Sequence, residues 1–462
     1  MPGTHKNLPR GTSVKARKVA RRILRPLELF LQLEASSGLV LLSATAMALV
    51  WANFHHPSYE HLWREFQLGF SIGGWHFQRN LEFWINDGLM TFFFFLVGLE
   101  LRREFSQGEL SNFKSATLPI VAAFGGMLAP ALIYFYFNKG LPAANGWGIP
   151  MGTDTAFALG ILAILGRRVP AAARVLLLGT AVIDDVGAIL VIALFYSSGI
   201  QYTGLVVATI AVGLIWVMRN LGMRGWSYII PAVTLWMGIY NAGIHPTLAG
   251  VVLGFLTPAV AGYTPAKLME LAGPRHQELN RLSKEANPST ETMMGLLLSL
   301  RTIYREGLSF VDQLIHKLHG PVAYFVMPLF ALANAGVVLD SFELPGSTQN
   351  VFLGVTLGLL FGKPLGIFLT SVFAIKIGFS RIPQGMRFRG IFLVGMVSAI
   401  GFTMAIFISQ LAFTPDSLGA ESALFLKTSK LAILTASFIA AVISLGIGFL
   451  RPKVHPPPEE EI

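Results

Sequence analysis

The sequence predicts an all-α polytopic membrane protein: twelve transmembrane helices, an inverted repeat with two crossing broken helices (spans four and eleven), and one small external β-hairpin. Three observations lead there. The 462 residues are 53% hydrophobic and only 13% charged, against about 25% charged in a soluble domain. Apolar stretches of membrane-crossing length recur along almost the whole chain. The 35 Lys and Arg residues gather in alternate connections between those stretches.

The spans fall near 35–53, 83–101, 116–137, 149–166, 172–197, 203–218, 226–241, 246–260, 321–339, 351–374, 390–412 and 427–449. Basic residues crowd the segment before span one (Lys6 to Arg25) and follow spans two (Arg102, Arg103), four (Arg167, Arg168), six (Arg219, Arg224), eight, ten and twelve. That is the positive-inside pattern, and it puts both termini in the cytoplasm. The net charge of +10 is thereby explained by topology, without a nucleic-acid partner. The absence of Cys excludes disulfides and thiolate chemistry. An A-x-A site at Ala44–Ala46 lies inside an apolar run, where a membrane span explains it better than a signal peptide.

The organisation follows. Residues 1–34 read as a cytoplasmic basic N-terminus, with an amphipathic interfacial helix over 19–33. Residues 35–260 hold spans one to eight. Within them 66–78 alternates apolar with small or polar residues around Gly73-Gly74 and predicts an external β-hairpin, whose free edge suits homodimer formation. Residues 261–319 form a long cytoplasmic loop. Its later part, from Met293 to Val311, has apolar residues at helical spacing and predicts a helix on the membrane surface. Spans nine to twelve occupy 320–450, and 451–462 form a cytoplasmic tail. Aligning Ala129-Pro130 with Lys363-Pro364 pairs spans three to five with ten to twelve in opposite orientation, the mark of an inverted-repeat transporter.

Ionisable groups at mid-membrane cost at least about 2.5–3.5 kcal/mol and point to function. Asp184 and Asp185 lie roughly 15 Å beyond Arg174 along a helix, and Asp154 and Lys363 roughly 20 Å from their basic flanks. Three acids and one base thus share the midplane. Adjacent carboxylates cannot both stay ionised cheaply in a low dielectric, so the Asp184-Asp185 pair can hold a proton or a hard cation. Lys363 can pair with an acid, and a buried salt bridge with Asp154 that merely joins helices is an alternative. Pro150, Gly152 and Gly160 flank Thr153 and Asp154 in span four, while Gly395, Ser398 and Gly401 punctuate span eleven. Both read as interrupted helices, whose half-helix dipoles Asp154 and Lys363 can compensate.

Several motifs are long and specific: WINDGLMTFFFFLVGLELRRE (Trp84–Glu104), GTDTAFALG, VIDDVGAILVIALFYS, GIHPTLAGVVLGF, MPLFALANAGV and FGKPLGI. In this order, over roughly residues 28–450, the chain resembles the NhaA family of bacterial Na⁺/H⁺ antiporters. The resemblance implies a dimeric inner-membrane transporter that exchanges about two protons for one Na⁺ or Li⁺, is activated by pH and uses no cofactor. It implies Asp185 as main cation ligand, Asp184 as its proton-carrying partner paired with Lys363, and Thr153 and Asp154 at the broken-helix site. Asp87 matches an acid near the external part of span two, and His245 a histidine at the outer end of span eight. Glu100, Arg103 and Glu104 match a cytoplasmic cluster linked to pH response, as do His316 and His319. Two departures touch that response: Ile315 stands where the family has an acid, and the preceding loop is long.

Other classes fit less well. A channel needs a continuous pore with charged or carbonyl rings, whereas broken helices around an enclosed site suit alternating access. An intramembrane aspartyl protease could use paired acids, but the GxGD-type motif is missing. ATP-driven pumping lacks its phosphate loop.

Overall fold

The computed structural model describes residues 34–111, 113–197, 199–223, 225–283, 289–339, 346–419 and 421–450. The predicted interfacial helix and the C-terminal tail lie outside the described residues. Eight described helices are long and apolar enough to cross a membrane: Ser36–Phe54, Leu81–Gln107, Ala116–Asn138, Pro142–Arg168, Ala171–Phe195, Tyr202–Asn220, Ser347–Lys376 and Glu421–Phe449. A ninth comes from Phe388–Ser398 and Phe402–Ala412, bent by 50°.

The other three predicted spans are shorter here. Span seven is Ile229–Asn241 and span eight is Leu248–Leu256. Even the longer of the two rises only about 20 Å, less than a hydrocarbon core of about 30 Å. Gly243 ends span seven in the left-handed region at φ 77, and Pro246 follows, which has no amide hydrogen to continue a helix. Helix Phe310–Pro321, at the end of the long connection, runs on through a single π-turn segment, Val322–Val326, into Met327–Asn334; span nine is the part from Val322 and stops at Asn334, short of the predicted 339. Span ten has a similar π-turn, Gly358–Gly362, just before Lys363-Pro364. In both, the widened turn precedes a proline, where the missing N–H breaks the regular ladder.

Glycine decides how closely the spans approach. Span two lies against span eight, where a Cβ on Gly254 would come within 2.7 Å of the Gly98 backbone and one on Gly250 within 2.3 Å of the Thr91 carbonyl. Spans three and ten meet the same way: a Cβ on Gly366 would sit 2.1 Å from the Gly125 carbonyl, and one on Gly362 2.7 Å from Pro130 Cα. Lipid offers no hydrophobic drive for helices to associate, so this contact area is what holds them together.

The predicted hairpin is present and runs slightly further than 66–78. Strands β1 (Gln67–Ile72) and β2 (Trp75–Asn80) pair antiparallel, from Gln67 opposite Asn80 to Ile72 opposite Trp75. Gly73 makes the turn at φ 60, a conformation glycine adopts without strain. Phe77 is buried against Trp84, Phe83, Trp236 and Tyr240. Arg79 lies over the Phe77, Phe83 and Tyr240 rings and donates to the Tyr240 hydroxyl. The hairpin is therefore fastened to span seven, while Phe66, Leu68 and Phe70 remain exposed.

In the long connection between spans eight and nine, two helices pack together, Pro265–Leu282 and Thr290–Glu306. Side chains of Thr264 and Ser289 cap them. Leu296 and Leu300 are buried, whereas Met294, Leu297 and Leu298 are exposed.

The glycine contacts set a stability test. Gly366→Leu should push spans three and ten apart and cost about 1–3 kcal/mol, read as a lower melting temperature in detergent. Gly213→Ala, where nothing lies within 4 Å of the added atom, should be neutral or stabilising. Equal melting temperatures for the two variants would contradict this packing.

Candidate functional site

Spans four and eleven are both interrupted, and they cross at their interruptions. Span four is a tight 3₁₀ segment, Pro142–Met151, then three non-helical residues, then the helix Thr155–Leu165. Span eleven breaks at Ala399 to Gly401. A Cβ on Gly401 would come 3.1 Å from the Gly152 carbonyl oxygen, and one on Gly152 3.1 Å from the Ala405 nitrogen. Glycine at both positions is what lets the two chains approach.

Each break leaves unpaired backbone groups that lipid cannot satisfy. Their partners define the site. The Asp154 amide donates to the Ile400 carbonyl at 2.8 Å. The Asp154 carboxylate caps its own half-helix, accepting from the Phe157 amide at 3.0 Å. Its second oxygen accepts from the Thr403 amide at 3.3 Å and the Thr403 hydroxyl at 2.5 Å, at the start of the other half-helix. One carboxylate therefore faces the positive ends of two helices. Opposite it, the Lys363 ammonium donates to the Met151 carbonyl, at the negative end of the first half of span four.

Lys363 also forms an ion pair with Asp184, Nζ to Oδ2 at 3.1 Å. The Thr153 hydroxyl donates to that same oxygen at 2.8 Å and lies 3.3 Å from the Ser398 carbonyl. Lys363 thus pairs with Asp184 and not with Asp154. The other Asp184 oxygen is buried without a hydrogen-bond partner among the described residues. Asp185 is 7% exposed, and no described residue donates a hydrogen bond to it. Its charged neighbours are Asp184, Glu100, Lys363 and Asp154. No group of three His, Asp or Glu among the described residues converges on one point. A cation here would take carboxylate, hydroxyl and carbonyl oxygens, the donor set of a hard ion.

The remaining predicted residues fall into two places. Asp87 sits in a π-turn of span two, Trp84–Leu89, with its carboxylate 3.9 Å from His245 Nδ1. Its carbonyl accepts from Thr91 and Trp236. At the opposite end of span two, Glu100 has Arg103 and Glu104 as charged neighbours, and Arg103 approaches Glu104 at 3.9 Å. Of this cluster, Glu100 is the charged neighbour of Asp185 among the described residues. His316 and His319 are both exposed, one turn apart on Phe310–Pro321. Loss of part of its water shell to neighbouring atoms, then electrostatic repulsion from His316 and Arg103, holds the His319 imidazole below the usual histidine range. Ile315, in place of an acid, points inward and joins the core.

Sequence reasoning missed Thr403 and its grip on Asp154, although Thr403 lies two residues after Gly401, in the first turn beyond the break. It also missed Lys430, buried within span twelve. A lysine inside the apolar run 427–449 was the available signal.

Because the His319 range is lowered, the neutral ring is favoured in the folded protein. The resulting stability is present above the free-histidine range, near pH 6.5, and is lost as pH falls through the folded value. Arg103→Gln should move the His319 titration upward, measured by NMR of histidine-labelled protein in detergent. An unmoved or lowered titration would show that Arg103 does not act on this ring.

The same chain matches a family model described as Na⁺/H⁺ antiporter 1 over residues 28–447. It is 47% identical to the Na(+)/H(+) antiporter NhaA 2 of Sorangium cellulosum over 453 residues, 97% of this chain and 95% of the relative. It is 44% identical to the Na(+)/H(+) antiporter NhaA of Janthinobacterium sp., covering 97% and 98%. Against the Na(+)/H(+) antiporter NhaA 2 of Myxococcus xanthus the identity is 46%, covering 93% and 90%. With its apolar helices, the protein is a multi-pass membrane protein, and it belongs to the Na⁺/H⁺ antiporter 1 family.

Proposed function

We propose that the protein exports Na⁺ or Li⁺ in exchange for protons, by alternating access at the mid-membrane Asp184-Asp185 pair. It is a transporter and not an enzyme. Family membership supplies the ions. The observation that carries the mechanism is the Lys363–Asp184 pair beside an Asp185 carboxylate that no described residue satisfies. An unsatisfied carboxylate in lipid must take a proton or a cation. Na⁺ binding at Asp185, with Thr153 and Asp184 oxygens beside it, excludes protons from the same oxygens, and protons returning from outside displace Na⁺. Exchange of about two protons per cation moves one net charge, so each 100 mV of membrane potential contributes about 2.3 kcal/mol to export.

The wider architecture of this proposal has twelve spans, with the three shorter helices completing their crossings through adjoining segments. An even number keeps both termini on the cytoplasmic side of the bacterial inner membrane, as the basic connections require. The contact of spans three and ten through Gly125 and Gly366 is the central pairing of an inverted repeat of spans three to five and ten to twelve. The hairpin is then external, and its exposed Phe66, Leu68 and Phe70 are the surface for a homodimer. The pH response belongs to Glu100, Arg103, Glu104, His316 and His319 at the cytoplasmic end, with Asp87 and His245 answering on the external side. Glu100 couples the first group to Asp185. A buried Ile315 removes one acid from this group, so its response is set more by His319 and Arg103.

Asp185→Asn should abolish Na⁺-dependent proton release in everted membrane vesicles while the protein still accumulates in the membrane. Retained release would sink the proposal. Lys363→Gln should leave Asp184 with the Thr153 hydroxyl alone and destabilise the fold by about 3–5 kcal/mol, as loss of one partner of a buried ion pair does. A thermal unfolding curve indistinguishable from the parent would show that Lys363 does not hold the crossing together.

A further inference from the structure

A second polar network lies at the hairpin end of the bundle. Glu82, in the first turn of span two, is 3.4 Å from the Gln410 amide nitrogen and 3.5 Å from Arg64 Nε. The Gln410 amide also donates to the Asn334 side-chain oxygen. Asn334 is fully buried. It donates to the Asn86 side-chain oxygen at 2.7 Å, and Asn86 Nδ2 lies 3.3 Å from Asn334 Oδ1. Lys430 in span twelve is 4% exposed, with Glu82 and Arg64 as charged neighbours. Spans two, nine and eleven therefore meet through polar side chains, with Lys430 of span twelve within reach of their charge, where apolar packing would hold them at less cost.

This network is mechanically joined to the ion site. Gln410 lies on the half-helix Phe402–Ala412, whose first turn carries Thr403. Thr403, Ile406 and Gln410 follow i, i+3, i+7 spacing and share one helix face. Thr403 holds Asp154, and Gln410 is two turns away, roughly 10 Å along a rigid rod. Displacement of this half-helix at the ion site is therefore felt at Gln410. On the other side of the network, Asn86 directly precedes Asp87 in the π-turn of span two. The side-chain amide oxygen of Gln410 is buried without a partner among the described residues. Opening to water would satisfy it, so the closed arrangement is not so favourable as to be permanent.

We propose that Glu82, Gln410 and Asn334 form a latch that closes the hairpin end over the ion site, and that this latch parts each time the site exchanges ions on that side. These are positioning residues and none of them binds the transported ion. The proposal rests on the alternating-access reading, with the hairpin end external. Parting leaves Glu82, Asn86 and Asn334 with spans two and nine, and carries Gln410 and Lys430 away with spans eleven and twelve. Glu82 and Arg64 keep each other company when Gln410 leaves, so no carboxylate is stranded in the open state.

The natural absence of Cys makes the test direct. Ile406→Cys places one thiol at a buried position between latch and site. A membrane-impermeant maleimide is added to the outside of right-side-out vesicles. Adding Gln410→Ala should raise the labelling rate several-fold and lower the half-saturating Na⁺ concentration on the external face relative to the cytoplasmic face. The double exchange Glu82→Gln with Gln410→Glu keeps a carboxylate–amide pair and should return labelling to the starting rate. Glu82→Ala removes the acceptor, leaves Arg64 paired with Glu60 at 2.8 Å, and replaces Gln410→Ala should that variant fail to accumulate. Unchanged labelling in the opened variants, equal labelling gains from both faces, or no restoration by the exchange would each overturn the latch. Failure of the transport reading is separate, since it shows as exchange surviving in Asp185→Asn whatever the labelling does.

Discussion

Two helices broken in the middle of a membrane expose backbone groups where no water can reach them. Everything at the crossing of spans four and eleven answers that constraint. Asp154 caps both half-helix starts, through Phe157 and Thr403. Lys363 takes the Met151 carbonyl, the Thr153 hydroxyl approaches the Ser398 carbonyl, and the Asp154 amide takes the Ile400 carbonyl. Ser437 reaches in from span twelve to accept from the Phe402 amide at 3.2 Å. The charges that balance helix ends are thus structural obligations first. What is left over, the Asp185 carboxylate and one oxygen of Asp184, is available for chemistry.

That division explains why the surrounding spans are packed as they are. Lys363 can reach Met151 and Asp184 together because span ten approaches span three through Gly362 and Gly366. The π-turn at Gly358–Gly362 sits directly before Lys363, where a widened turn turns the side chain out of regular register. Span two carries charged or polar groups at both ends, Glu82 to Asp87 near the hairpin and Glu100 to Glu104 at the other end, with an apolar, glycine-packed centre between them. A helix built this way has charged groups at both ends, and one of them, Glu100, is a charged neighbour of Asp185.

Much of this was legible in the sequence, for physical reasons that can be named. Asp154, Asp184, Asp185 and Lys363 stand out because a charge in an apolar run has no cheap explanation. The hairpin stands out because Gly73-Gly74 interrupts strict alternation. Partner choice was legible only through the family resemblance, which implied Asp184; residue spacing alone left Asp154 open, and the crossing geometry pairs Lys363 with Asp184. Spans seven and eight read as full crossings because hydropathy registers composition, while Gly243 and Pro246 cut the helices short. The Glu82, Asn334, Gln410 and Lys430 network was invisible since its members are scattered over four spans and, apart from Lys430, none is unusual alone. Thr403 was hidden for the opposite reason, as a hydroxyl in an apolar helix that most often bonds its own backbone.

The central claim is that Na⁺ and protons compete for the same carboxylate oxygens. Calorimetric titration of the purified protein with Na⁺, repeated in buffers of different ionisation enthalpy, counts the protons released as the ion binds. Competition predicts release in the parent protein, with Na⁺ affinity weakening as pH falls. Na⁺ binding with no proton release, and with an affinity independent of pH, would contradict it.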